Sequence, residues 1–202
     1  MLEKAQERSW LRTLGIGYGL KLYGAQKALS QWAIVDDYNA ILDLHCRDTR
    51  LLHVLSQQFS LRACGIAEDV ETARCLQENE PGAEIFCARK EDIPWRDGCF
   101  DVVFYQMKKG EAEHDPAFLR EALRVLKPNG QMLVALQGAP EILCKAGELM
   151  GIAGMEDRVK PKHLLAAMEA AGFEDLSFRI AQPFVGIAMG WKRDMTEEYD
   201  GN

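Results

Sequence analysis

From residue 40 onward the chain alternates short apolar runs with amphipathic helical stretches, and that alternation leaves few architectures open. AILDLHC (40–46), LRACGIA (61–67), AEIFCA (83–88), CFDVVFYQM (99–107) and QMLVALQ (131–137) are apolar almost throughout, not at every second position. Such runs suit strands buried on both faces, as in a parallel sheet. Helical patterns lie between them. One follows Asp48, a candidate cap, and runs to about Gln58. EDVETARCLQEN (68–79) has acids in its first turn, and DPAFLREALRVLK (115–127) starts at Pro116 and stops at Pro128-Asn129-Gly130. PKHLLAAMEAAG (161–172) is closed by Gly172. FEDLSFRIA (173–181) and PFVGIAMGWKR (183–193) lie too close together for a crossover helix and read as an antiparallel hairpin. The spacing predicts an α/β fold with a doubly wound, mostly parallel sheet.

Ahead of the sheet, Trp10, Leu11 and Leu14, then Leu20, Tyr23, Leu29 and Trp32, recur at three- and four-residue steps. Gly15, Gly17 and Gly19 interrupt them, which predicts two helices with a break. GIGYG follows no strand and lacks the GxGxxG spacing, so it reads as a helix hinge and not a phosphate loop. There is no internal repeat and no domain boundary. The expected organisation is a single domain over 1–202, with a helical cap at 1–33, a core at 38–192 and a frayed acidic tail at 193–202. Residues 138–159, rich in Gly, Ala and Met, are expected to cover the sheet's edge.

Charge narrows the partners. Twenty-four basic against 31 acidic side chains give a net charge of −7, which disfavours a broad face for nucleic acid or anionic lipid. No apolar run is long enough to span a membrane. MLEKAQERSW has acids where a secretory signal needs a basic and then an apolar stretch, so a cytoplasmic location is expected. Cysteines at 46, 64, 75, 87, 99 and 144 form no CxxC pair, and the four histidines are scattered. Reduced, buried thiols are expected, with no metal site.

Four stretches carry a more specific signal: ILDLHC, DIPWRDGCFDVVF, FLREALRVLKPNGQMLVAL and AAMEAAGFEDL. In order and spacing the chain resembles the class I S-adenosylmethionine-dependent methyltransferases of the type 11 kind, over about residues 38–192. The resemblance implies seven strands with the last inserted antiparallel. It also implies S-adenosylmethionine as cofactor, bound beyond the carboxyl ends of the strands.

Each element of that implied pocket has a counterpart here. In the loop Asp43-Leu44-His45-Cys46-Arg47-Asp48-Thr49, Asp43 and Cys46 match the family, while His45, Arg47 and Thr49 stand where it carries glycines. The family's acid at the end of strand two, which bonds the ribose hydroxyls, aligns with Ala67. Glu68 follows it, either reaching the ribose or serving as a first-turn acid of the next helix. Where the family places an acid facing the adenine amino group stands Arg89, followed by Lys90, both donors only. Tyr105 and Gln106, ending strand four, correspond to the methyl-donor and acceptor region. His114 and Asp115 read either as an acceptor's base or as a solvated histidine and a helix cap. Trp95 either packs on the fold or touches an adenine ring.

Two functions fit. One is a methyltransferase with an atypical cofactor site and an acceptor left open. The other is a non-catalytic methyltransferase-like protein that has lost the cofactor. It would hold an anion with His45, Arg47, Arg50, Arg89 and Lys90, or act as a partner or scaffold subunit. In both, a small molecule is expected in the crevice at the strand ends, with self-association a further option.

Overall fold

The computed structural model describes residues 22, 24–107, 116–137, 161–182 and 185–194. The expected break at Gly15–Gly19, His114 and Asp115, Cys144, the cover at 138–159 and the tail beyond 194 lie outside the described residues.

Helix α1 (Gly24–Trp32) leads into β1 (Ala40–Asp43), whose four residues are all buried. Then come α2 (Arg50–Gln58), β2 (Arg62–Ala67), α3 (Val70–Asn79) and β3 (Glu84–Cys87). The second half holds β4 (Phe100–Met107), α4 (Pro116–Val125), β5 (Leu126–Gln137), α5 (Pro161–Ala171), β6 (Phe173–Gln182) and β7 (Val185–Lys192). The seven strands form one sheet in the order β3-β2-β1-β4-β5-β7-β6. β1 to β5 run parallel, and β7 runs antiparallel between β5 and β6. The expected hairpin is therefore present.

Each helix buries the stripe its spacing dictates. In α2 the buried set is Leu51, Leu52, Val54 and Leu55. In α4 it is Phe118, Leu119, Ala122 and Val125. The helices divide between two cores, one on each face of the sheet. α1, α2 and α3 pack with Ile41, Val102, Phe104 and Leu133 on one face. α4 and α5 pack with Leu42, Val103, Tyr105 and Val134 on the other. Successive residues of β1 and β4 serve opposite cores, which is why those strands read as unbroken apolar runs.

Several boundaries differ from the sequence reading, each for a tertiary reason. β1 stops at Asp43, because Leu44–Cys46 turns to bond both neighbouring strands. Thr49, not Asp48, is the N-cap residue of α2, with no side-chain cap bond. The Asp48 carboxylate still accepts from the Arg50 backbone N–H at 3.0 Å. Glu68 lies outside α3, whose cap is Asp69, with Oδ1 accepting from Thr72 N–H at 2.8 Å. α4 ends at Val125 and β5 begins at once, so Phe100 pairs with Leu126 while Val102 pairs with Gln131. Residues 127–130 bulge between those pairs. Asn129 takes a left-handed φ of 60° there, and a Cβ on Gly130 would meet Lys127 O at 2.8 Å. Cys46 and Cys64 are buried as expected, but Cys75 and Cys87 are exposed. β3 is an edge strand with Ile85 alone buried, so Cys87 stays outside the core.

The motifs of the resemblance turn out to be structural partners. Arg124 of α4 spends all five N–H donors on one clamp. Nε and Nη2 grip the two Glu121 oxygens at 2.7 Å. Nη1 reaches Trp95 O and Asp97 Oδ1, and Nη2 reaches Ile93 O. The DIPWRDG segment is thereby tied to α4. Trp95 packs edge-on between Phe86 and Phe100, at 5.1 and 5.4 Å, so its role is in the fold. Lys192 of β7 donates to Leu126 O and Arg124 O at the end of α4.

Candidate functional site

The chain runs from β1 outward to β2 and β3, then returns to the far side of β1 with β4. Strand order reverses between β1 and β4, and ligands of open α/β sheets bind at such a reversal, past the carboxyl ends. A crevice of about 260 Å³ opens there. Leu44, Ile66 and Ala88 give it apolar walls, while His45, Glu68, Lys90, Glu91 and Tyr105 give it polar ones.

The loop after β1 is stitched to both neighbours. Leu44 N–H donates to Phe104 O of β4 at 2.9 Å, and Cys46 N–H to Ile66 O of β2 at 2.8 Å. Asp43 is wholly buried beneath it. Its Oδ1 accepts from His45 N–H at 3.0 Å, and Oδ2 finds no hydrogen-bond partner among the described residues. Burial pushes the carboxyl up to about 7, with the nearby Asp48 charge adding to the shift and the His45 N–H and the Gln106 side chain opposing it.

His45 is 5% exposed despite its polarity. Its Nδ1 lies 3.2 Å from Gln106 O, and its Nε2 lies 3.0 Å from Arg47 Nε and 3.2 Å from Glu68 Oε1. The Glu68 side chain is 65% exposed and folds over the loop from the end of β2. Ala67, the aligned position, is fully buried in the core.

After β3 a tight turn, closed by Asp92 N–H on Arg89 O at 3.0 Å, sends the Arg89 side chain outward. It is 84% exposed and pairs with Glu91 at 3.6 Å. Lys90 turns inward. Its Nζ donates to Tyr105 Oη at 2.8 Å and lies 5.0 and 5.3 Å from the Tyr105 and Phe118 ring centres.

The sequence-derived residues thus separate. His45, Glu68, Arg89, Lys90 and Tyr105 line one crevice. Asp43 lies buried behind it, and Gln106 enters through its backbone carbonyl, against His45, and through its side chain, toward Asp43. Arg47 is exposed, with its Nε donating to the His45 ring. The Cys46 side chain belongs to the core, close to where a Cβ on Gly65 would sit, and burial raises its thiol far above the usual range. Arg50 is spent on Asp48, with bonds of 2.8 and 3.1 Å, and Arg89 on Glu91. Asp48 is held below its ordinary value: burial raises it, but the Arg50 and Gln26 hydrogen bonds win. Arg50, Arg89 and His45 thus each meet a carboxylate, while Lys90 meets the Tyr105 hydroxyl and Arg47 the His45 ring. Glu91 is the polar lining residue that sequence reasoning missed as a site, beside the apolar Leu44, Ile66 and Ala88. Its only signal was an acid two places past the aligned position. Among the described residues no group of His, Cys, Asp and Glu side chains could hold a metal.

Residues 42–134, from β1 into β5, match a family described as a methyltransferase domain. No curated protein matches the chain in sequence. Among solved structures, the [4+2]-cyclase SpnF is similar at 16% identity and a TM-score of 0.67, over 83% of this chain and 79% of that one. So is a chain of the Haloferax volcanii complex between the Trm112 methyltransferase activator and a methyltransferase. It is 15% identical with a TM-score of 0.67, over 95% of this chain and 93% of that one. An S-adenosylmethionine-dependent methyltransferase from Thermotoga maritima is 14% identical with a TM-score of 0.62, over 84% and 88%. At these identities the likeness is one of fold, and the cyclase shows that the fold hosts other chemistry. With the sheet order and inserted antiparallel strand described above, the chain has the fold of the S-adenosylmethionine-dependent methyltransferases, and its residues 42–134 are similar to that methyltransferase domain.

Proposed function

We propose that the chain is an S-adenosylmethionine-dependent methyltransferase whose cofactor crevice has been rebuilt around displaced acids. The observation that carries this is the pair Glu68 and Glu91, both lining the crevice at the β1/β4 reversal. They stand one place after Ala67 and two after Arg89, the positions where the family carries its ribose and adenine acids. Carboxylates accept only, and the ribose hydroxyls and the adenine amino group donate, so the chemistry is kept while the positions move. Leu44, Ile66 and Ala88 supply apolar contact for a purine, and Lys90 fixes the Tyr105 wall. This lining fits the nucleoside half of the cofactor. The methionine half would lie near His45 and the buried Asp43. Bound there, the cofactor supplies a methyl group on a sulfonium for in-line displacement, where positioning does most of the work.

Calorimetric titration with S-adenosylhomocysteine tests the reading. Saturable binding is expected, weakened about tenfold or more in Glu91→Ala. Absence of heat and of any melting shift at millimolar ligand would sink it.

The second reading is a non-catalytic binding or partner subunit. It draws on His45, Arg47 and Thr49 standing at three glycine positions of one loop. The Haloferax complex makes association with a partner protein the matching proposal. Among the described residues no helix is long and apolar enough to cross a membrane.

A further inference from the structure

His45 sits among one donor and two acceptors that it cannot satisfy together. Gln106 O, 3.2 Å from Nδ1, is a pure acceptor, so Nδ1 carries a proton. Nε2 faces a pure donor, Arg47 Nε at 3.0 Å, and a pure acceptor, Glu68 Oε1 at 3.2 Å. In the neutral ring Nε2 accepts from Arg47, and its lone pair confronts the Glu68 carboxylate. In the charged ring Nε2–H donates to Glu68 in a charge-assisted bond, and Arg47 loses its acceptor. Protonation therefore selects the partner.

The groups around the ring bias that choice. Asp43 holds the His45 backbone N–H from below, and Glu68 approaches from the end of β2. Arg47 opposes the charge from the loop itself. Across the crevice stand Tyr105, its ring centre 6.2 Å away, Lys90 on the tyrosine hydroxyl, and Glu91.

Two departures from the family pattern meet at this contact. Moving the ribose acid from 67 to 68 takes it off a strand whose residue 67 is buried in the core. It places the acid beside position 45, where a glycine would offer nothing to hold it. We infer that His45 is a positioning residue for Glu68. The imidazolium binds Oε1 and so turns the carboxylate toward the vicinal hydroxyls of a bound nucleoside. This rests on the cofactor reading above. A side chain at a glycine position could instead plug the pocket, and the inference assigns the histidine the opposite role.

Two measurements test it on the full chain. First, the His45 ring signals are followed by NMR against pH in the parent and in Glu68→Gln. The midpoint is expected about one pH unit lower in the variant; coincident midpoints overturn the contact. Second, S-adenosylhomocysteine affinity is measured from about pH 5 to about pH 8. Affinity is expected to weaken about tenfold as His45 loses its proton, and to stay flat in His45→Gln, whose amide donates at every pH. A parent profile as flat as the variant's overturns the inference, as does tighter binding by His45→Gly, the result a plug would give. Absence of binding at every pH overturns the cofactor reading and the ligand role with it, while the NMR comparison still decides the contact.

Discussion

Asp43 carries a carboxyl group wholly out of water, with one oxygen bonded and the other without a hydrogen-bond partner among the described residues. Its ordinary value is 3.8, and burial raises it to about 7. Between those limits the folded chain keeps a proton that the unfolded chain has released. The resulting stabilisation is complete below the lower value and is lost as pH rises through the higher one. Asp43→Asn keeps an acceptor for the His45 N–H and removes the titration. Its melting temperature is expected to lack the parent's decline between about pH 4 and about pH 7, a difference on the order of 2–4 kcal/mol. Parallel melting profiles would contradict the shifted carboxyl. Asp48, Glu84 and Glu121 act in the opposite sense and a lower range. Arg62 holds Glu84 down and Arg124 holds Glu121 down, so their contributions are lost on acidification below their ordinary values. At this scale the sequence was legible where a residue follows a strand end, as at Asp43, His45 and Glu68. It was not legible at Arg89 and Glu91, because the Arg89–Asp92 turn reverses which side chains face inward. No periodicity encodes that reversal.

Among the elements, α4 shows most clearly how sequence motifs become mechanics. The resemblance rests on DIPWRDG and on FLREALRVL, which are far apart in sequence and joined by one guanidinium. Arg124→Met keeps the stem and removes the five bonds. A loss of about 2–3 kcal/mol is expected in urea denaturation, with faster amide exchange over 93–98, because two backbone carbonyls and two carboxylates lose their donor. The value sits at the lower end of what five bonds suggest, since the side chain is about a third exposed and Asp97 lies in water. Unchanged stability would mean that packing alone carries the segment. Helix and strand identities were legible throughout the described core. Boundaries were not: the ladder with β4 draws Leu126 straight from helix into strand, where local signals at 128–130 announce a turn.

For the whole molecule, the two cores protect their thiols unequally. Burial raises Cys64 to about 12 and Cys46 higher still, while Cys75 and Cys87 stand in solvent. Brief iodoacetamide treatment of the native protein should label Cys75 and Cys87 and spare Cys46 and Cys64. Peptide mass spectrometry reads this directly, and early labelling at Cys64 would show that the sheet opens locally. The doubly wound sheet and the closing antiparallel hairpin were readable from run length and connection length, while the insertion of the last strand came from the resemblance. The crevice was readable in place but not in composition, because place depends on topology and composition on turns.

The position of β7 between β5 and β6 also sets an order of events. While the chain leaves a ribosome, β1 to β5 can pair as they appear, each against a strand already made. β6 cannot, because its sole neighbour among the described strands, β7, has yet to emerge. The carbonyls at the end of α4 wait equally long for the ammonium of Lys192. A nascent chain halted before residue 185 should therefore hold a five-stranded half-sheet with a raw edge at β5, and that edge is what a chaperone would meet.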